Sequence, residues 1–371
     1  MLAKALRVIY NQGGAMGVLQ RSEGMGEYKA STLVAAACEA SNGDKGMASG
    51  ILNAFIGSCC DNDDASVVGG KKAIDLMKAM DNLDSFEPDL VSLSLAYAAT
   101  SNRQEFEDKA NEFLFRAEKV HKDGNSRGIP EAQKCTVDWA ELEQIYNIQL
   151  LHDSEEFVVL SKPSGMVCYH GSKVTQKQKS KDISLEDCLR KSGVQLSTLN
   201  EEGRGLVHRI DRGTSGCLIL AKTNRMHAIL LSQFFLRRVK KSYQALVVCP
   251  RKKLPMKGTI QVNIDGRPAK SNYKIEKQFG TTAFTRIKVE TEQGRRHQVR
   301  IHCAQGLRAP ILLDPLYGGQ AILSTVTLPL LSTLKKEKKF CLHADTLSIA
   351  KYDVNVQAPL PQWWKQLEAD L

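Results

Sequence analysis

The chain has 371 residues, 42% of them hydrophobic and 25% charged, so it is long enough for two packed domains and has the composition of a globular protein. No apolar run approaches the length of a membrane span, and the ten cysteines form no CxxC pair, which argues against a disulfide or zinc framework. The formal net charge of +10 is unevenly spread, with −5 on residues 1–140 and +15 on residues 141–371. The basic part suits a polyanion such as nucleic acid, although charge alone fits a solvated surface equally well.

Residues 1–120 are predicted to be helical. Alanine- and leucine-rich stretches with helical spacing, such as Ile51–Gly57 and Leu93–Ala99, are separated by polar breaks. The run from Ile51 to Ala99 loosely resembles pentatricopeptide repeats, which can read single-stranded RNA. Because the region is net acidic, we interpret it as a helical appendage that can contact RNA or protein. The basic first residues, with no acid before Glu23, fit a first helix or an organelle-targeting presequence.

The pattern changes in the second half of the chain. Residues 121–144 are predicted to be a linker, because they begin with a polar stretch rich in turn residues. Residues 145–371 then read as one domain with strands such as Phe157–Lys162 and the alternating Thr285–Thr291, and a helix over Asn224–Arg237. Since few helices separate the strands, we predict an α+β domain with a mixed, mostly antiparallel sheet flanked by helices.

Three segments of this second domain carry polar and charged residues of the types found in catalytic sites. His208–Gly216 places Asp211 between two arginines on a glycine-bounded turn, an arrangement that holds a carboxylate ionised, as a nucleophile or base must be. Taken alone, such a triplet is more often a structural ion pair. Lys240–Leu246 and Gly294–His302 also place polar groups at the ends of apolar elements. The three segments can therefore converge on one cleft.

These segments resemble the RluA-type pseudouridine synthases, in the same order, over roughly residues 145–367. His208–Gly216 is similar to the family signature His-Arg-Leu-Asp-x-x-Thr-Ser-Gly, and Gly294–His302 is similar to the late Arg-Thr-His-Gln segment. The tyrosine motif Lys-x-Tyr-x-Ala is matched by Lys241, Tyr243 and Ala245.

The chain departs from the family pattern at three positions. Ile210 replaces the signature leucine, and Arg296 replaces a threonine. Leu313 stands before Asp314, where the family usually has glycine, which leaves the conformation of that loop open.

The resemblance implies isomerisation of uridine to pseudouridine in RNA, without a cofactor or a metal. Asp211 corresponds to the catalytic aspartate, which either adds to the sugar or takes a ribose proton; the sequence does not choose between these routes. Arg300 is implied as its partner, since a guanidinium can give a carboxylate two hydrogen bonds. Tyr243 is implied to stack on the target base, and Arg209 to fill the space that an extruded uridine leaves in the RNA. We also expect phosphate contacts from Lys162, Lys241, Arg295 and Arg296.

A second hypothesis is a non-catalytic RNA-binding or scaffold protein on the same fold. Retention of Asp211, Tyr243 and Arg300 together argues against it. We expect ribosomal or transfer RNA as the partner, no membrane, a monomer, and an intracellular location in the cytoplasm or in a mitochondrion or plastid. Histidines of these segments could suggest a metal, but their spacing favours structural hydrogen bonds instead: His208, His297, His302 and His343.

Overall fold

A computed structural model describes most of the chain, and the described residues form two compact units. The first unit holds the described residues up to 120 together with Ser197–Glu201 and Thr223–Leu236. The second unit holds the other described residues from 137 onward. The described ranges are 1–21, 28–60, 67–83, 87–101, 103–120, 137–171, 183–249, 254–279, 283–320 and 329–371.

The first unit is built from helices, as predicted. In chain order these are α1 Leu2–Arg21 (kinked at Gly14), α2 Ala30–Ser41, α3 Lys45–Ser58, α4 Val67–Asp81, α5 Leu90–Thr100 and α6 Glu107–Lys119. Two of the polar breaks in the sequence supply helix caps, because Asp44 accepts a hydrogen bond from Met47 N and Asp89 accepts one from Ser92 N. A side-chain cap of this kind satisfies an amide at the start of a helix that would otherwise lack a partner.

The second unit contains the sheet, and its elements in chain order are α7 Trp139–Tyr146, β1 Gln149–Asp153, β2 Phe157–Lys162, α8 Leu185–Lys191, β3 Ser215–Ala221, β4 Lys240–Val248, β5 Lys257–Gln261, β6 Lys270–Gln278, β7 Phe284–Thr291, α10 Gln298–Ile301, α11 Pro329–Lys336, β8 Leu342–Ile349, β9 Val354–Gln357 and α12 Gln362–Asp370. Among the described residues, one sheet has the strand order β1-β2-β3-β8-β4-β7-β6-β5, with β9 paired to β8. Among the pairings of these described strands, β3–β8 is the only parallel one. The predicted α+β class with a mixed, mostly antiparallel sheet is therefore confirmed.

Two features differ from the predicted domain bounds. The helix α9, Asn224–Phe235, follows β3 in the chain but packs against α5 in the first unit, where Asn224 Nδ2 donates to Glu118 Oε1 at 2.8 Å. Helix α7 lies across the end of the predicted linker; residues 121–136 of that linker lie outside the described residues. The periodic pattern identifies α9 as a helix but not the unit it packs with.

The hydrophobic core of the second unit consists of two clusters. One includes Val247, Ile287 and Trp364 and the other includes Leu160 and Leu218, all of them with no exposed surface. Tyr243 of β4 packs against both clusters. Strands β3, β8 and β4 are neighbours in the middle of the sheet. Asp211 lies just before β3, Tyr243 lies on β4, and Arg300 lies on α10, which follows β7 in the chain.

Candidate active site

The segment His208–Gly216, called the signature turn below, contains two glycines at positions that have no room for a side chain. Gly216, in β3 at φ +106°, lies against β8, where an added Cβ would meet Ala344 O at 2.2 Å. At Gly213 an added Cβ would lie 2.1 Å from the ring of Phe340. The glycines therefore allow the turn that carries Asp211 to approach β8 and Phe340 closely.

A second turn, Lys162–Gly165, braces the signature turn. Arg212 O accepts hydrogen bonds from Gly165 N at 2.8 Å and from Lys162 Nζ at 3.4 Å, and Arg212 Nε donates to Gly165 O at 2.9 Å. Ser164 Oγ donates to Gly213 O. These bonds fix the main chain directly after Asp211.

Asp211 and Arg300 meet, as the sequence predicts. Arg300 Nη1 donates to Asp211 Oδ2 at 2.9 Å across 89 positions of sequence. Arg300 comes from the short helix α10, and its side chain is 3% exposed, whereas that of Asp211 is 23% exposed. The carboxylate thus faces an accessible space, while the guanidinium that supports it is buried.

Arg300 has a second carboxylate partner that the sequence analysis missed. Its Nε and Nη2 donate to Asp314 Oδ2 and Oδ1 at 2.7 and 2.9 Å, and the Asp314 side chain is completely buried. Burial by itself lowers the pKa of Arg300, but the hydrogen bonds and charges of Asp314 and Asp211 outweigh it and raise the pKa. The guanidinium therefore stays charged.

The two-bond contact expected between Arg300 and Asp211 is formed with Asp314 instead. Asp211 receives one hydrogen bond from Arg300, through Nη1. Aromatic rings cover the guanidinium, with its Cζ 5.1 Å from the ring centre of Tyr317 and 4.6 Å from that of Phe340. Such cation–π contacts further hold Arg300 in one position.

Tyr243 lies on β4, opposite Val289 of β7 and Ala344 of β8. Burial, followed by the charges of Asp211 and Cys217, raises the pKa of its hydroxyl to about 12, so that group stays protonated at neutral pH. Tyr243 lines the same cavity as Asp211 and Arg300. All three predicted catalytic side chains therefore converge.

That cavity has a volume of about 500 Å³, within the range of small-molecule sites. Arg209, Lys241, Arg295 and Arg296 of the predicted RNA contacts also line it. Burial, followed by the neighbouring charge of Arg237, lowers the pKa of Lys241 to about 8. Four of the five predicted RNA contacts thus face the space in front of Asp211.

Lys162 is the exception, and its burial disagrees with the predicted phosphate contact. Its side chain has no exposed surface, and Nζ donates to Pro163 O at 2.8 Å and Met166 O at 2.7 Å in addition to Arg212 O. Burial lowers the pKa of Lys162 to about 8. Burying a lysine ammonium is costly unless its three N–H donors have hydrogen-bond partners. Here backbone carbonyls are those partners, so no donor of Lys162 is available to RNA.

Three of the four histidines make structural hydrogen bonds to the backbone, as expected. His343 Nε2 donates to Ala358 O at 3.1 Å, His302 Nε2 donates to Val262 O at 3.2 Å, and His208 Nε2 accepts from Ile219 N at 3.2 Å. In the described part of the chain, no three His, Cys, Asp or Glu side chains are grouped as metal ligands. His297 differs, because it lines the cavity with Nε2 3.5 Å from Asp211 Oδ1.

One cavity beside the mixed sheet is lined by the Asp211–Arg300 pair, a tyrosine and four further cations, a combination suited to an anionic substrate. A sequence model of the family "RNA pseudouridylate synthase" matches residues 156–305. The chain is 30% identical over 244 residues to ribosomal large subunit pseudouridine synthase D of Xanthomonas campestris, covering 60% of this chain and 69% of that protein. It is 28% identical over 249 residues to the protein of the same name from Pseudomonas aeruginosa, covering 62% and 73%.

The human RNA pseudouridylate synthase domain containing 4 is 24% identical and covers 58% of this chain and 90% of that structure, with a TM-score of 0.45. The chain belongs to the RNA pseudouridylate synthase family, in its RluA-type branch, and isomerises uridine to pseudouridine in RNA. The matched family segment begins at residue 156, so the likeness of the N-terminal helices to pentatricopeptide repeats stays a prediction. Within the described residues, no helix combines the length and apolar character needed to cross a membrane.

Proposed function

We propose that Asp211 is the group that attacks the ribose of the target uridine, that Arg300 keeps it ionised, and that Tyr243 contacts the base. The observation that carries this proposal is the 2.9 Å hydrogen bond from Arg300 Nη1 to Asp211 Oδ2 at the wall of a 500 Å³ cavity. Desolvation would raise the pKa of a lone carboxylate, and a buried guanidinium opposes that shift. Arg300 thus places a buried positive charge beside Asp211 at the wall of the cavity.

The isomerisation requires the bond between ribose and uracil to break, the ring to turn and a carbon–carbon bond to form. An ionised Asp211 can add to C1′ and leave again, or take a ribose proton to give a glycal and return it. The protonated hydroxyl of Tyr243 is suited to contact the detached ring. Both routes use the same three side chains.

The cations around the cavity are proposed to hold the RNA. Arg209 is exposed and precedes Asp211 by two residues, which suits it to fill the space that the extruded uridine leaves. Lys241, Arg295 and Arg296 are proposed phosphate contacts, because they line the same cavity.

We propose ribosomal RNA as the substrate, on the basis of the names of the two bacterial relatives. Transfer RNA is the other outcome of the test below. The proposal also includes a monomeric enzyme that works inside the cell, in the cytoplasm or an organelle, and a helical first unit that contacts RNA or protein.

The deciding experiment maps pseudouridines in total cellular RNA with and without this protein. Loss of a discrete site in ribosomal RNA would support the proposal, and loss confined to transfer RNA would replace the proposed substrate. Re-expression of Asp211→Asn should restore no site, although the variant should still bind RNA, because only the reacting carboxylate changes. An unchanged pseudouridine pattern on deletion would favour the non-catalytic RNA-binding alternative.

A further inference from the structure

The imidazole of His297 lies between Asp211 and Tyr317 and contacts both. Its Nδ1 is 2.9 Å from Tyr317 Oη, and its Nε2 is 3.5 Å from Asp211 Oδ1. This is the carboxylate oxygen opposite to the one that accepts from Arg300. The 3.5 Å separation is longer than a good hydrogen bond, and contacts of this kind commonly tighten once substrate is bound.

The backbone and a neighbouring ring fix the position of this imidazole. His297 is the N-cap residue directly before α10 and has φ +55°, a left-handed conformation that histidine, asparagine and glycine accept more readily than most residues. The ring of Tyr317 meets the imidazole edge-on at 5.8 Å and also lies under the guanidinium of Arg300. One tyrosine therefore contacts both groups that flank the Asp211 carboxylate.

The two contacts select one protonation pattern. Burial lowers the pKa of His297 although the charge of Asp211 acts in the opposite direction, so the imidazole is neutral at pH 7 and carries one proton. An ionised carboxylate only accepts hydrogen bonds, so the nitrogen that faces it is favoured as N–H. Nδ1 must then accept from the hydroxyl of Tyr317. The tautomer protonated on Nε2 suits both contacts, whereas the tautomer protonated on Nδ1 would direct a lone pair at Asp211.

We propose that His297 is a positioning residue for the isomerisation, that it donates Nε2–H to Asp211 Oδ1, and that the hydroxyl of Tyr317 holds it in this tautomer. The inference rests on the proposed role of Asp211. With Oδ2 bound to Arg300 and Oδ1 facing His297, the two contacts together orient the plane of the carboxylate. Orienting contacts of this type typically contribute about 10–100-fold in rate.

Two substitutions separate the contacts. His297→Asn keeps a side chain that tolerates the left-handed backbone and can reach Tyr317, but it is too short to reach Asp211. His297→Gln places an amide N–H near the position of Nε2. We expect about a 10–100-fold lower kcat for His297→Asn, partial recovery for His297→Gln, and KM for RNA within about twofold in both. His152→Asn, at an exposed histidine on β1, is the matched control and should change neither constant.

Imidazole ¹⁵N NMR of the free protein tests the tautomer without a substrate. The His297 signals, assigned by their loss in His297→Asn, should show Nε2 protonated and Nδ1 unprotonated at pH 7. Tyr317→Phe keeps the ring beneath Arg300 but removes the hydroxyl, so it should give a mixture of the two tautomers. The tautomer is read from the wild-type spectrum, and a variant at position 297 is needed only to assign the signals. If His297→Asn folds poorly, His297→Gln can serve for this assignment.

The outcomes separate this inference from the proposed function. An Nδ1-protonated wild type, or wild-type kcat in His297→Asn while Asp211→Asn is inactive, overturns the role of His297 alone. An active Asp211→Asn variant overturns the proposed function itself. A lower kcat in His297→Asn that His297→Gln does not recover, with the Nε2–H tautomer absent, shows a structural defect and also counts against the inference.

Discussion

Asp314 offers the sharpest test of how the active site is held together. Asp314→Asn changes a completely buried carboxylate that accepts two hydrogen bonds from Arg300 and further bonds from Leu316 N and Tyr317 N. An amide can keep some of these bonds, but its NH2 group must face an N–H of Arg300. The substitution therefore leaves a buried cation with one of its two anionic partners.

The expected loss of stability follows from that geometry. Removing one partner of a buried ion pair costs about 3–5 kcal/mol, and we expect the lower end, about 3 kcal/mol, because Asp211 still supports Arg300. In a domain of this size 1 kcal/mol lowers Tm by about 2–4 °C, so Tm should fall by about 6–12 °C. Thermal unfolding followed by circular dichroism measures this change. Asp265→Asn, the same substitution at an exposed turn residue, should leave Tm within about 1 °C.

Activity should respond as well. In Asp314→Asn one N–H of the Nε–Nη2 edge of Arg300 loses its acceptor, so Arg300 can turn toward Asp211, and kcat should fall by about 100-fold in a tritium-release or pseudouridine-mapping assay. Asp211→Asn should remove activity with a much smaller change in Tm, because that side chain is partly exposed. An Asp314→Asn variant with unchanged Tm and kcat would show that the buried ion pair neither stabilises the protein nor positions Arg300.

Three further predictions concern single side chains. Since the pKa of Lys241 is lowered to about 8, its positive charge is lost as pH rises from 7 to 9. RNA affinity measured by fluorescence anisotropy should therefore fall over that range, and it should fall less in Lys241→Met. Lys162→Met should lower Tm by removing bonds to three carbonyls but leave RNA affinity within about twofold, whereas a phosphate contact would weaken binding. Leu313→Gly relieves about 1–2 kcal/mol of left-handed strain but loses about 3 kcal/mol of burial, so the urea midpoint should fall; a rise would show that strain dominates.

Features that depend on residues close together in the chain could be predicted from the sequence. Asp211 was singled out because its turn, its flanking arginines and its following strand are contiguous, whereas Arg300 was implied as its partner only by the resemblance to the RluA-type family. The strict alternation of Thr285–Thr291 predicted β7, and the apolar run that ends in the turn Lys162–Gly165 predicted β2. Spacing and residue type were therefore enough for the turn and the two strands, but not for the pair of Asp211 and Arg300.

The parts that failed depend on which residues meet in space. Lys162 was predicted to contact phosphate, but its ammonium donates to the backbone carbonyls of Pro163, Met166 and Arg212 instead. The amphipathic pattern of helix α9 predicts a helix, but it does not predict that this helix packs in the first unit. Asp314 was seen only as a neighbour of the unusual Leu313, and nothing local indicates its bond to Arg300.

Leu313 shows how a departure from the family pattern is accommodated. It adopts φ +68°, so the backbone keeps a conformation that favours glycine although the side chain is leucine. Its N–H donates to Gly319 O at 3.0 Å, and an added Cβ at Gly319 would meet Ile311 O at 1.7 Å. The side chain is fully buried in the core, and that burial offsets the strain. The loop that carries Asp314 can therefore hold its shape without a glycine at this position.

Asp314 also explains why Arg300 gives Asp211 one hydrogen bond and not two. A guanidinium and a carboxylate left alone tend to form two parallel hydrogen bonds, which would occupy both oxygens of Asp211. Here the Nε and Nη2 donors are already used by Asp314, and only Nη1 is directed at Asp211. Arg300 therefore takes Oδ2 alone and leaves Oδ1 toward His297 and the cavity. The buried carboxylate of Asp314 therefore limits the number of hydrogen bonds that Arg300 gives to Asp211, and this keeps Asp211 Oδ1 free of the guanidinium.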